Sequence, residues 1–323
     1  MPKRRVSQLT QERTARPRIY VAGHTGMVGS AICRRLDRDG HVVLRPSSRV
    51  DLRDQHATER LFQELKPDIV LLAAAQVGGI FANSTRPADF IFDNLMIQTN
   101  VLHSSYKSGV RKLLFLGSSC VYPKDCVQPI KEEYLLSGYL EPTNQPYAVA
   151  KIAGLIMAQS YNRQYGTNFI SAMPTNLYGP HDNFDLENAH VIPALLRKFH
   201  EAKESGRSPV EIWGTGDPTR EFLHVDDLAD ACVFLMENYD SSELVNVGTG
   251  EEISIRELAF LIKEIVGYPG EIWYNSDMPD GMQRKLVDGS RLAALGWKAS
   301  ISLRDGIASV HRWFLQNAEN LRT

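Results

Sequence analysis

The chain has 323 residues, of which 43% are hydrophobic and 23% charged, and its formal net charge at pH 7 is -2. This balance predicts an ordinary soluble globular protein of one large domain or two unequal ones, and it excludes a molecule-wide positive field for binding nucleic acid. No apolar run approaches the roughly 18 residues that a membrane span requires. The four cysteines form no CxxC pair, so we expect free thiols, no metal site and a cytoplasmic location.

Residues 1–17 carry five basic side chains and one acidic side chain, and they lack the apolar stretch of a secretory signal. We interpret them as a flexible basic tail, with a transit peptide or an anion-binding arm as the alternative.

From residue 18 onward, strand and helix patterns alternate. Predicted strands lie at 18–23, 41–47, 67–75 and 112–119, and predicted helices lie at 27–40, 54–65 and 94–109. The strands are nearly all apolar, which implies burial on both faces, as in a parallel sheet covered by helices. We therefore predict an α/β fold with a doubly wound parallel sheet of the Rossmann type.

Past residue 178, clustered Pro, Asn and Asp residues predict a crossover into a smaller α/β C-terminal lobe. A strand and helix pattern at 221–237 and a strand at 244–250 suggest that the chain then returns to the large domain. Helices at about 254–266 and 302–317 complete it. The predicted division is a dinucleotide-binding domain of residues 18–178 plus about 220–250, and a substrate-binding lobe of about 179–219 plus 251–323.

The turn after the first strand reads "GHTGMVG" and places Gly23, Gly26 and Gly29 in GxxGxxG spacing. Glycine lets the backbone approach a pyrophosphate, and the following helix offers free N–H groups at its N-terminus. Such spacing is weak evidence alone, but its position between a strand and a helix predicts a dinucleotide site. The predicted loop comprises Gly23, His24, Thr25, Gly26, Met27, Val28 and Gly29.

The end of the second strand, "LRPSSRVDL", carries Arg45 and Arg49 and no early acidic residue to bind a ribose hydroxyl. Arginine at this place favours the 2'-phosphate of NADP. The alternative is that both arginines simply face solvent.

In "PYAVAK", Tyr147 and Lys151 are spaced i and i+4, so a helix starting after Pro146 places both on one face. A phenol has an ordinary pKa of roughly 10. A nearby ammonium, together with an oxidised nicotinamide, is expected to lower it and to let Tyr147 exchange a proton with a carbonyl.

The glycine loop, Ser118, Ser119, Tyr147 and Lys151 together resemble the extended short-chain dehydrogenase/reductase superfamily from Arg18 onward. The segments "LFLGSSCVYP", "EPTNQPYAVAKIAG" and "MPTNLYGPHDNF" narrow the resemblance to the GDP-L-fucose synthase family. The resemblance implies inversion of C3 and C5 of GDP-4-keto-6-deoxy-D-mannose, followed by NADPH reduction of the C4 ketone. The alternatives are a related GDP-4-keto-sugar reductase with partial or no epimerisation, for example on a heptose, and a non-catalytic NADP-binding protein.

The same resemblance implies roles for individual side chains. Lys151 holds the nicotinamide ribose, and Ser118 contacts the substrate carbonyl. Inversion next to a ketone removes a proton from one face and returns one to the other, which calls for two acid/base groups. The resemblance places them at Cys120 and His190; without it, both are more often packing or loop residues.

The resemblance also implies the remaining contacts. Substrate-binding residues are Lys198, Trp213, Arg220, Asp280 and Lys285, and further cofactor-binding residues are Ser119, Pro174, Asn176, Leu177 and His190. Three positions depart from the family pattern, because Thr25 and Lys198 stand where arginine is common and Gln76 stands where lysine is frequent. The superfamily further implies a homodimer formed through helices at 93–108 and 147–165.

Overall fold

The computed structural model describes residues 16–318 except Glu187 and Pro279. The predicted basic tail therefore lies outside the described residues, apart from Arg16 and Pro17. Within the described part of the chain, no helix is both long enough and apolar enough to cross a membrane.

A six-stranded sheet forms the centre of the larger unit. All of its strands are parallel, in the order β2-β1-β3-β4-β5-β9. The strands are β1 (Arg18–Ala22), β2 (Val42–Leu44), β3 (Ile69–Leu72), β4 (Lys112–Leu116), β5 (Phe169–Pro174) and β9 (Val245–Val247). The predicted α/β fold with a doubly wound parallel sheet is confirmed.

Helices cover both faces of this sheet, because successive strand residues point to opposite sides. They are α1 (Met27–Arg38), α2 (Gln55–Leu65), α4 (Pro87–Lys107), α5 (Gln145–Tyr165) and α7 (Val225–Asn238). Helices α1 and α7 pack in one core with Ile19 and Val21 of β1. Helices α2, α4 and α5 form the other core, with Tyr20 of the same strand.

Helix α4 begins several residues before the predicted start at 93 or 94. Pro87 occupies its first turn and Asp89 lies there as well. Proline lacks the N–H that a first turn leaves unpaired, and a carboxylate is favoured at the positive end of the helix.

The smaller unit contains two further sheets. Its strands are β6 (Asn176–Tyr178), β7 (Val210–Trp213), β8 (Thr219–His224), β10 (Glu252–Ser254), β11 (Ile272–Asn275) and β12 (Arg284–Lys285). Strand β8 pairs with β6, β10 and β12, and β7 pairs with β11. The remaining helices are α3 (Ile80–Thr85), α6 (Val191–Ser205), α8 (Ile255–Val266), α9 (Ser290–Ala294) and α10 (Leu303–Asn317). Helices α6, α8 and α10 share a third core with Phe222 and Tyr178.

Strand β8 lies in the second sheet, although the sequence suggested that the chain returns to the large domain at about residue 220. Only Thr175 separates β5 from β6, so the chain passes directly from the central sheet into the second one, where β6 pairs with β8. Helix α7 and strand β9 then rejoin the larger unit. The predicted domain boundaries remain a prediction.

The chain reverses its direction of travel across the sheet between β1 and β3. The loops after these two strands approach closely, since a Cβ placed on Gly23 would lie 2.7 Å from the amide nitrogen of Ala74. In open α/β sheets, ligands bind in the crevice at this reversal, beyond the carboxyl ends of the strands.

Candidate active site

The glycine loop is a tight turn between β1 and α1. Gly23 has φ +89°, a value that favours glycine, and the Gly26 amide donates to the Gly23 carbonyl at 3.0 Å. A Cβ on Gly29 would lie 2.0 Å from that carbonyl oxygen, so the helix packs directly on the turn. Gly26 caps α1 without a side chain, and the first turn holds no acidic residue. The N-terminus of α1 therefore fits the pyrophosphate of a dinucleotide.

The two arginines after β2 are both exposed. The Arg45 guanidinium contacts the Asp37 carboxylate at 2.5 Å, whereas Arg49 has no ion-pair partner within 4.0 Å among the residues described. Strand β2 pairs with β1, so both arginines lie on the side of the glycine loop where the adenosine end of a dinucleotide is expected.

Tyr147 and Lys151 rise from one face of α5, as their spacing predicts. Lys151 is only 4% exposed; its ammonium donates to the Leu116 carbonyl at the end of β4 at 2.8 Å and lies 5.9 Å from the Tyr147 ring centre. Burial lowers the pKa of Lys151 to about 8. Burial raises the pKa of Tyr147, with a further rise from Cys120 and an opposing hydrogen bond from Ser118. The sequence led us to expect a lowered pKa for the Tyr147 phenol. In the structure, burial has a larger effect on this pKa than the neighbouring protein groups, and it raises the pKa.

Ser118 and Cys120 lie in the short 3₁₀ turn that follows β4. The Ser118 hydroxyl accepts from the Cys120 amide at 3.3 Å, and Ser119 between them is buried. The Cys120 sulfur accepts from two donors, Asn144 Nδ2 and Lys285 Nζ, each at 3.4 Å.

Sequence reasoning missed Asn144. The local signal was available, because an asparagine three residues before Tyr147 and two before Pro146 is a frequent start of a helix. In the structure Asn144 is the residue that precedes α5, and its amide reaches the sulfur instead of capping the helix backbone.

His190 immediately precedes α6. Desolvation in the crowded cleft lowers its pKa, and the positive charge of Lys285 adds to this effect. The structure thus brings Cys120 and Lys285, which lie far apart in the sequence, into contact, whereas the side chain of His190 is exposed and lies within range of the Lys285 charge.

Lys198, Trp213, Arg220 and Asp280 gather in the smaller unit. The Lys198 ammonium lies 5.5 Å from the Trp213 ring centre and donates to the Glu211 carbonyl at 3.1 Å. Arg220 donates to the Thr219 carbonyl at 2.8 Å, and the Asp280 carboxylate accepts from both the amide and the hydroxyl of Thr215. Trp213 is half exposed and offers a flat face.

The three cations of this cleft share an unusual environment. Lys198, Arg220 and Lys285 are each partly or fully buried, yet no carboxylate oxygen lies within 4.0 Å of their charged nitrogens in the described part of the chain. Burial lowers the pKa of both Lys198 and Arg220. Buried cations are ordinarily paired, so this cleft is suited to an anion.

The other predicted cofactor residues lie where the two sheets meet. Pro174 ends β5, and Asn176 and Leu177 begin β6. The Asn176 amide donates to the Glu221 carbonyl at 2.8 Å, which ties this segment to β8. These residues follow the carboxyl end of a central strand, where a nicotinamide ring is expected.

Comparison with known proteins gives a consistent result. The sequence pattern of the NAD dependent epimerase/dehydratase family matches residues 19–248. GDP-L-fucose synthase 1 of Arabidopsis thaliana is 57% identical over 94% of each chain. A GDP-6-OMe-4-keto-L-xylo-heptose reductase from C. jejuni superimposes with a TM-score of 0.88 at 40% identity, over 94% of this chain and 98% of that one. A GDP-L-fucose synthetase from Naegleria fowleri bound to NADP superimposes with a TM-score of 0.88 at 32% identity, over 95% of each chain.

Proposed function

The chain belongs to the NAD dependent epimerase/dehydratase family, in its GDP-L-fucose synthase branch, and we propose that it converts GDP-4-keto-6-deoxy-D-mannose to GDP-L-fucose. It is an NADP-dependent oxidoreductase that also acts as an epimerase. The substrate carbons C3 and C5 are inverted first, and the C4 ketone is then reduced.

NADP is the cofactor, and when bound it supplies the hydride that reduces C4. The N-terminus of α1 and the loop from Gly23 to Gly29 hold its pyrophosphate. Arg49, which has no ion-pair partner within 4.0 Å in the described chain, is better placed than Arg45 to meet the 2'-phosphate, because Arg45 already contacts Asp37. Lys151 holds the nicotinamide ribose, and Ser119, Pro174, Asn176 and Leu177 line the nicotinamide side.

Tyr147 is the proton donor for reduction at O4. Its raised pKa keeps the phenol protonated at neutral pH, which suits an acid that must deliver a proton as the hydride reaches C4. Ser118 is the second hydrogen-bond donor to O4. During inversion the same two hydroxyls stabilise the enolate that forms at O4 when a neighbouring carbon loses its proton.

Cys120 and His190 are the acid/base pair that inverts C3 and C5. One observation supports this assignment above the others: the Cys120 sulfur accepts a hydrogen bond from Asn144, the residue that precedes α5, and Tyr147 lies in the first turn of that helix. Inversion needs a second group on the opposite face, and our candidate is His190, which precedes α6 and lies within range of the Lys285 charge.

The GDP moiety occupies the cleft of the smaller unit. Lys198 and Arg220 are part-buried cations without carboxylate partners within 4.0 Å among the described residues, and the pyrophosphate supplies the missing negative charge. Trp213 offers its exposed face to the base or ribose. Asp280 holds the loop at Thr215 in place beside them.

NMR analysis of the product formed in deuterated water tests the proposal. With GDP-4-keto-6-deoxy-D-mannose and NADPH, the expected product carries deuterium at C3 and C5 and has the fuco configuration. Cys120→Ala and His190→Ala should abolish deuterium incorporation, whereas Cys126→Ala, which removes a part-buried thiol six residues further on, should retain it.

The oxidation of GDP-L-fucose by NADP⁺ needs hydride transfer but no inversion. Both inactive variants should therefore retain this reverse reaction. A reduced product that keeps its original C3 and C5 hydrogens would instead indicate a simple GDP-4-keto-sugar reductase, the reading that similarity to the heptose reductase favours.

We further propose a homodimer in the cytoplasm. Phe92 of α4 is 61% exposed, and its chain neighbour Ile91 lines an apolar recess with Pro87, Pro146 and Val149 on the paired helices α4 and α5. A second copy would bury this surface. The free state of all four cysteines agrees with a reducing compartment.

A further inference from the structure

Lys285 stands out among the cations of the cleft because of what it contacts. The side chain is 7% exposed, and its ammonium makes one hydrogen bond among the residues described, to the Cys120 sulfur at 3.4 Å. No carboxylate of the described chain lies within 4.0 Å of it. A buried ammonium without an anionic partner is costly, and the sulfur is the group in reach that can become an anion.

The sulfur has a second donor. Asn144 Nδ2 donates to the Cys120 sulfur, also at 3.4 Å. The Asn144 Oδ1 atom is buried and has no hydrogen-bond partner among the described atoms. Two N–H donors converging on one sulfur stabilise its charged form, because a thiolate accepts hydrogen bonds more strongly than a thiol.

Other titratable groups lie within range of the Lys285 charge. Lys285 contributes to the lowered pKa of His190, and it opposes the rise that burial causes in the pKa of Cys126. From the adjacent strand β8, Arg220 pairs in register with Lys285, and the carboxylates near that arginine are Asp280 and Glu141.

We propose that Lys285 holds Cys120 as a thiolate and so prepares it to remove the proton beside the substrate ketone. The proton passes from carbon to sulfur, and the C–H electron pair becomes the enolate that Tyr147 and Ser118 stabilise. The enolate returns to the ketone when His190 delivers a solvent-derived proton to the opposite face of the carbon, and the thiol then returns its own proton to solvent before the next inversion. Lys285 is thus a positioning residue acting through Cys120, rather than the pyrophosphate ligand expected from the sequence. Its role in inversion rests on the proposed function, but the ion pair itself requires no substrate.

Alkylation by iodoacetamide measures the thiolate directly. The rate at Cys120 is followed by peptide mass spectrometry between about pH 5.5 and 9.5, in the full chain without substrate. An ordinary thiol is half ionised at about pH 8.5, and its alkylation rate has its midpoint at that pH. The proposal predicts a wild-type midpoint at least one pH unit lower, and a wild-type midpoint at or above that ordinary value overturns it without any variant.

Three variants assign the effect. Lys285→Met should move the midpoint upward by at least one pH unit, which is about tenfold slower alkylation at pH 6.5. Lys285→Arg should restore most of the shift because it keeps the charge. Arg284→Met removes the exposed neighbouring cation, which pairs with Glu252, and should match the wild type.

Exchange kinetics separate this role from phosphate binding. Lys285→Met should slow deuterium incorporation at pH 7 about tenfold, and the rate should recover at high pH. The GDP affinity of this variant should stay within about twofold of the wild-type affinity. An unchanged alkylation profile with GDP affinity lowered tenfold would overturn the proposal in favour of a pyrophosphate contact. If wild-type enzyme makes no GDP-L-fucose while the alkylation shift is present, the proposed function fails and the ion pair stands.

Discussion

A pair of glycine substitutions tests the phosphate loop most sharply, because two glycines of one turn differ in the space around them. A Cβ on Gly29 would lie 2.0 Å from the Gly23 carbonyl oxygen and 2.5 Å from its carbon, against at least 3.4 Å for an ordinary contact. The turn and α1 would have to separate by more than 1 Å. A Cβ on Gly26 would lie 3.5 Å from the same oxygen, and its φ of -79° suits any residue.

These distances predict different losses of stability. Gly29→Ala should lower the free energy of unfolding by about 1–3 kcal/mol, the usual cost of overpacking. Gly26→Ala should lower it by less than about 1 kcal/mol, the cost of a poorer N-cap. Gly289→Ala is a matched control, since Gly289 precedes α9 with φ -88° and its nearest neighbour would lie 3.9 Å away.

Cofactor affinity should follow a different order. Both loop variants should bind NADPH at least tenfold more weakly, Gly29→Ala because the turn is displaced and Gly26→Ala because its methyl group occupies the space that the pyrophosphate approaches. Chemical denaturation and NADPH fluorescence titration measure the two quantities, and Gly289→Ala should bind normally. Wild-type stability and affinity in Gly29→Ala would refute the close packing of α1 on the turn.

Two further predictions concern the buried lysine and the exposed helix face. Burial lowers the pKa of Lys151 to about 8 from 10.5, so at this residue the unfolded chain binds more protons than the folded one between these values; the stability of the wild type minus that of Lys151→Met should therefore rise by about 3 kcal/mol from pH 8 to 10.5. Denaturation of both proteins measures this difference, and a difference that stays constant with pH would contradict the argument. Light scattering should give the wild type twice its chain mass of 36.3 kDa and Phe92→Glu the single mass; a monomeric wild type would exclude the dimer.

The sequence by itself determined the features that depend on short spacing. Strand burial on both faces, the glycine turn before α1 and the i, i+4 pair of Tyr147 and Lys151 all follow from periods of two or 3.6 residues. Local signals also placed a helix start near Pro146. They were sufficient for the α/β fold and for the residues that hold a dinucleotide loop, although the roles of individual site residues stay predictions.

Only the tertiary structure decided which distant groups meet. Lys285 and Cys120 are 165 residues apart, and they touch because β12 lies beside β8 and faces the turn after β4. The sequence also did not predict the contact of Arg45 with Asp37 or the placement of β8 in the second sheet. No local period encodes such contacts, since they depend on how the strands are ordered and on which carbonyls and carboxylates their neighbours present.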